Sequence, residues 1–221
     1  MISLLDIIGP VMVGPSSSHT AGACRIGLLA RAILAVRPEK ARVELHGSFA
    51  RTGIGHGTDR AIAGGILGIR PDDGRLRDSL EIAPREGLAI SFVPARLRGG
   101  HHPNTARISL EGGGVSATVT GASLGAGRVR IVDIDGFPVD LTGEYPALVI
   151  VAHDEPGIVA TASGILAREG GNIAAVRVSR RRKGGEAIHV YELDAPASAA
   201  AVEAIRALPA VRRCRAIERI S

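Results

Sequence analysis

From Ala147 onward the chain switches between two hydrophobic periods in an order that few folds accommodate. Residues 147–152 form an unbroken apolar run, expected to be a strand. Asp154 and Glu155 before Pro156 signal a helix start with Pro in the first turn. Ile158, Val159, Ala162, Ile165 and Leu166 then share one helical face, and Gly170-Gly171 ends the helix. Residues 172–181 read as a strand, Lys183-Gly184-Gly185 as a turn, and 186–194 as the returning strand. Pro196 opens a second helix carrying Val202, Ile205 and Leu208, Pro209 follows it, and 211–220 is the last strand. The order βαββαβ is that of the ferredoxin-like unit.

Ahead of this block the texture changes. The stretch DLTGEYP, Asp140 to Pro146, marks the shift, so a front domain at 1–140 and a back domain at 147–221 are expected. The front opens on a short apolar stretch at 4–8 and the loop GPVMVGPSSSHTAG. Ile26, Leu29, Ala30, Ile33 and Leu34 predict a helix, capped by Ser17 or Ser18 and stopped before Pro38. Residues 42–46 alternate as a strand, and the loop GSFARTGIGHGTD opens a second helix through Ala61, Ile62 and Ile66. Further strands are expected at 88–92, 105–111, 115–120 and 128–135, with Gly112-Gly113-Gly114 as a hairpin loop. The front is therefore a mixed α+β domain with a partly antiparallel sheet.

Aromatic residues are only 2% of the 221, with no Trp, so Val, Ile, Leu and Ala must fill the cores and base stacking is not available for binding. The net charge of +5 comes almost wholly from arginine, Lys40 and Lys183 being the only lysines. The arginines are scattered apart from Arg180-Arg181-Arg182-Lys183 and Arg212-Arg213, which suits a solvated surface and a hairpin tip rather than a nucleic-acid footprint. Cys24 and Cys214 have no CxxC spacing, so no metal or cluster is expected on this chain. Residues 1–10 lack the basic start of a signal peptide, and no apolar run approaches the ~20 residues of a membrane span, so a cytoplasmic protein is expected.

Three loops carry chemistry. Ser16, Ser17, Ser18, His19 and Thr20 stand together at a predicted helix start, where unpaired N–H groups and the macrodipole favour a carboxylate or phosphate. A cap needs one such residue, and this loop has four hydroxyls and an imidazole. The second loop brings Thr52, His56 and Thr58 among glycines that let backbone approach a ligand, without the GxGxxG dinucleotide spacing. The third is His101-His102-Pro103-Asn104-Thr105 at a strand start. The histidine spacings match neither HxH across these loops nor HExxH, which favours acid–base chemistry over metal binding. His46, His153 and His189 read as structural histidines.

GPSSSHT followed by TGIGHGTD closely resembles the beta part of bacterial iron–sulfur L-serine dehydratases, and His102 and Asn104 match its H-x-N pattern. HDEPGIV and EGGNIAAV are similar to ACT domains, especially those of serine-pathway enzymes. This resemblance spans nearly the whole chain. It implies deamination of L-serine to pyruvate and ammonia at a [4Fe-4S] cluster whose cysteines belong to a separate alpha subunit. It further implies that Ser16, Ser17, Ser18, His19 and Thr20 hold substrate, with Thr52, Thr58 and Asn104 beside them. His19, His56 and His102 become the catalytic candidates, the last two for proton transfer or for orienting the leaving group. Asp154, Pro156, Gly157 and Asn172 match effector-contacting positions of ACT domains, which bind amino acids where two copies meet. Asp154 departs from the Asn common in serine-binding members. Two other readings remain open: an inert amino-acid sensor, and a regulatory part akin to the accessory domains of serine-biosynthesis dehydrogenases.

Overall fold

A computed structural model describes residues 11–220. The stretch at 4–8 lies outside the described residues. Packing divides the chain into two compact units between Asp135 and Gly136, a few residues ahead of the compositional change.

In the front unit a π-helical turn, Ser17–Gly22, runs directly into α1 (Ala23–Leu34). Its cap is Ser16 rather than Ser17 or Ser18: Ser16 is the residue with extended backbone, and its Oγ accepts from the His19 N–H at 3.1 Å. The apolar stripe Ile26, Leu29, Ala30, Ile33 and Leu34 is buried as its spacing predicts. There follow β1 (Lys40–Gly47), α2 (Ser48–Thr52), α3 (Thr58–Leu67), α4 (Ser79–Arg85), β2 (Ala89–Ala95), β3 (Asn104–Gly112), β4 (Val115–Gly125) and β5 (Arg128–Ile134). The order of these strands in the sheet is β2-β1-β3-β4-β5. β2 runs parallel to β1, and the pairs β1–β3, β3–β4 and β4–β5 are antiparallel. The mixed α+β class is as expected.

Three elements go beyond the sequence reading. α2 is a five-residue helix inside a segment that reads as loop, and α4 carries Pro84, a residue that argues against a helix. The third, β6 (Phe137–Leu141), lies just past the division and is only five residues long, although Phe137, Val139 and Leu141 are all buried.

After β6, the back unit contains β7 (Ala147–His153), α5 (Ile158–Arg168), β8 (Ile173–Arg180), β9 (Glu186–Leu193), α6 (Ala199–Arg206) and β10 (Val211–Ile217). The antiparallel sheet has the order β10-β7-β9-β8. Its core joins Leu148, Ile150, Ala152, Tyr191 and Leu193 of the sheet to Ile158, Ala162, Ile165 and Leu166 of α5 and to Val202 and Ile205 of α6. Val159 does not belong to that face. It is 40% exposed, one helical step off the stripe. Both helices start later than their prolines suggest. Gly157 occupies the cap of α5, so Pro156 precedes the helix. Ser198 caps α6, its Oγ accepting from the Ala201 N–H at 3.0 Å, because a hydroxyl there satisfies an N–H that Pro196 cannot.

Candidate functional site

The π-helical turn packs closely against β4. A Cβ on Gly22 would lie 2.1 Å from the Ser123 hydroxyl, so only glycine lets the turn seat against that strand. The turn delivers His19 and Thr20 inward, both buried, with Ser17 and Ser18 half-buried beside them.

His19 is held from both sides. Its Nδ1 lies 3.0 Å from the Thr58 Oγ1 at the start of α3, and its Nε2 lies 3.3 Å from the Ser48 Oγ at the start of α2. The Phe49 ring meets the imidazole edge-on, with centroids 5.1 Å apart. Burial first, and the neighbouring His56 second, push the His19 pKa below its ordinary value.

The second loop closes over the first. The Thr20 hydroxyl donates to the His56 carbonyl at 3.3 Å, and the two imidazoles stand 4.9 Å apart. His56 is exposed, and its Nδ1 lies 2.9 Å from the Thr52 carbonyl. A carbonyl can only accept, so Nδ1 carries a proton. In neutral His56 the lone pair therefore sits on Nε2, the nitrogen free to act as a base. A cavity of about 340 Å³ opens beside it, lined among others by Gly14, Thr20, His56, Arg60 and Arg77.

The third loop reaches this cluster through a backbone hydrogen bond. The Ser48 N–H donates to the Pro103 carbonyl at 2.7 Å. Gly47, at φ 60°, makes this contact possible, since a Cβ there would fall 2.5 Å from the Pro103 oxygen. His102 is exposed and its Nδ1 accepts from the Asn104 N–H at 3.1 Å. The structure thus brings Ser16, His19, Thr20, Thr52, His56 and Thr58 together, and leaves His102 on the adjoining loop and Asn104 at the start of β3. Ser48 is the residue that sequence reasoning passed over. Its signal was its place four residues before Thr52, whose hydroxyl donates back to the Ser48 carbonyl at 3.0 Å.

In the back unit Asp154 is committed to the β8–β9 hairpin. Its Oδ2 accepts from the Gly184 N–H at 3.0 Å and from Arg180 at 2.8 Å, and these bonds lower its pKa, the Gly184 bond most. The run Arg180–Lys183 is thus more than a solvated tip, since Arg181 also stacks over Phe137, 4.4 Å from its centroid. Asn172 donates to Asp194 at 2.6 Å, at the other end of β8. The eight residues of β8 separate the two positions by about 23 Å. Pro156 and Gly157 stand at the Asp154 end.

The family model for the serine dehydratase beta chain matches residues 3–85, and the ACT domain model matches 147–210. "Probable L-serine dehydratase, beta chain" of Bacillus subtilis is 41% identical over 197 residues, covering 87% of each chain. The L-serine dehydratase beta chain of Peptoniphilus asaccharolyticus is 38% identical over 195 residues, covering 88% of each. The L-serine dehydratase of Mycobacterium tuberculosis is 31% identical over 177 residues, which are 69% of this chain but only 37% of that protein. Among the described residues no helix is long and apolar enough to cross a membrane. With the hydroxyl-and-histidine cluster in the matched front segment and the βαββαβ unit behind it, this chain belongs to the serine dehydratase beta-chain family and carries a C-terminal ACT domain.

Proposed function

We propose that this chain completes, with a separate alpha subunit, an L-serine dehydratase that converts L-serine to pyruvate and ammonia. The observation that carries this reading is the exposed His56, whose Nδ1 is engaged by the Thr52 carbonyl and whose imidazole stands beside that of His19 on the serine-rich turn. His56 takes the Cα proton of the substrate. Ser17 and Ser18 stand on the turn that receives the substrate carboxylate and amine, while Ser16 and Thr20 brace its geometry. His19, with both nitrogens engaged, orients rather than transfers protons. His102, on the neighbouring loop, is assigned to orienting the leaving group, with Asn104 as a further substrate contact.

This chain's own thiols do not fit an iron–sulfur cluster. The Cys24 Sγ donates to the Ile69 carbonyl and burial pushes its pKa up to about 12; Cys214 is likewise pushed up to about 11. Neither offers a thiolate. We therefore assign the [4Fe-4S] cluster to the alpha subunit. The partial coverage of the Mycobacterium tuberculosis enzyme fits a division of one such enzyme into two chains.

The ACT domain is proposed to bind an amino-acid effector. Because Asp154 and Asn172 stand at opposite ends of β8, one copy cannot join them. Two copies paired antiparallel along the exposed edge strand β8, through Val176 and Val178, set one copy's Asn172 end beside the other's Asp154 and Gly157 end.

The test is reconstitution. Mixed with an anaerobically loaded alpha chain, the wild type is expected to release pyruvate from L-serine. His56→Gln should lower turnover about 10²–10⁴-fold. An unchanged rate in that variant would remove His56 from the chemistry.

A further inference from the structure

We propose that Ser48, acting with Thr52, is a positioning residue that holds His19 in the tautomer protonated on Nε2. The inference deepens the dehydratase reading, and rests on it only for placing His19 in the working site.

The chain of hydrogen bonds has a direction because of what stands at its end. The Ser48 carbonyl can only accept, so Thr52 spends its single hydroxyl proton there, at 3.0 Å. The Thr52 Oγ1 is then an acceptor in its 3.3 Å contact with the Ser48 Oγ, which donates its own single proton. Ser48 has only lone pairs left for His19, and at 3.3 Å the His19 Nε2 must supply the N–H. Burial and the nearby His56 hold the His19 ring to one proton. Its Nδ1 is therefore bare and accepts from the fully buried Thr58 hydroxyl at 3.0 Å. The edge contact with Phe49 resists a ring flip that would exchange the two nitrogens. The consequence is chemical. His19 presents no free lone pair and no charge to His56, 4.9 Å away, and proton transfer falls to His56 alone.

The tautomer is visible directly in long-range ¹H–¹⁵N correlation spectra of the full chain labelled at histidine, recorded near neutral pH. The wild type is expected to show a pyrrole-type Nε2 and a pyridine-type Nδ1 for His19. Thr52→Val never touches His19, yet it frees the Ser48 hydroxyl to donate either way, so the two ¹⁵N signals should move toward each other. Ser48→Ala should do the same, and Ser48→Thr, which keeps the hydroxyl, should restore the separation. A wild-type His19 protonated on Nδ1, or a Thr52→Val spectrum identical to wild type, overturns the proposal. So does equal behaviour of Ser48→Ala and Ser48→Thr. Absence of pyruvate in the reconstituted enzyme would refute the dehydratase reading and leave these spectra unchanged, so the two failures are told apart.

Discussion

Replacing Thr58 by Val keeps the side-chain shape and removes one oxygen from a place water does not reach. Thr58 is fully buried, and its Oγ1 lies 3.0 Å from the Nδ1 of His19, itself only 8% exposed. The lost bond leaves a buried nitrogen without a partner, which costs about 1–3 kcal/mol. In a domain of this size ~1 kcal/mol moves the melting temperature by about 2–4 °C, so Thr58→Val is expected to melt roughly 2–12 °C below wild type. Urea unfolding followed by far-ultraviolet circular dichroism supplies the free energy, since the chain has no Trp to report by fluorescence. The cause is isolated by repeating the change in a His19→Leu background. There no nitrogen is orphaned, and the penalty should shrink to about 0.5 kcal/mol or less. An equal penalty in both backgrounds would show that Thr58 stabilises the fold through packing alone, and the account of His19 as a doubly held imidazole would be wrong.

Two further outcomes concern the back unit. His189 is buried on β9, neither of its ring nitrogens has a partner among the described residues, and burial lowers its pKa, with Asp154 acting in the opposite direction. The unfolded chain binds that proton more readily, so the stability His189 contributes is fully present above about pH 6.5 and is lost as the pH falls from there toward the lowered folded value, with a slope of at most ~1.4 kcal/mol per pH unit. His189→Leu should flatten that part of the pH–stability curve, and an unaltered slope would locate the titration elsewhere. Calorimetry of the full chain should detect binding of a free amino acid, L-serine first, at the ACT domain, and Asn172→Ala should abolish that heat. Binding that survives the substitution would move the effector away from the Asn172 end of β8.

The back unit was legible because its instructions are local. A strand's apolar run, a helix's stripe and a Gly-rich turn depend on residues a few places apart, and βαββαβ leaves one common packing. The front loops were legible in the same limited sense, as polar helix starts too rich in hydroxyls for a cap. Local signals also misplaced what they did reach: Pro156 and Pro196 mark the approach to α5 and α6, whereas Gly157 and Ser198 set their starts. Tertiary structure decided everything that depends on distance. His19 meets Ser48 across 29 residues and Thr58 across 39, and neither pairing leaves a trace in periodicity. The direction of protons along Ser48 and Thr52 follows from one backbone carbonyl that only the fold of α2 brings into place. Asp154 matches an effector-contacting position only by resemblance to ACT domains, and its bonds to the hairpin returning 26 to 30 residues later appear only in the fold. Composition and period determine which surfaces are buried, because burial depends on side-chain type. Which polar atoms meet depends on the path of the whole chain, and that path also sets Asp154 and Asn172 at opposite ends of β8.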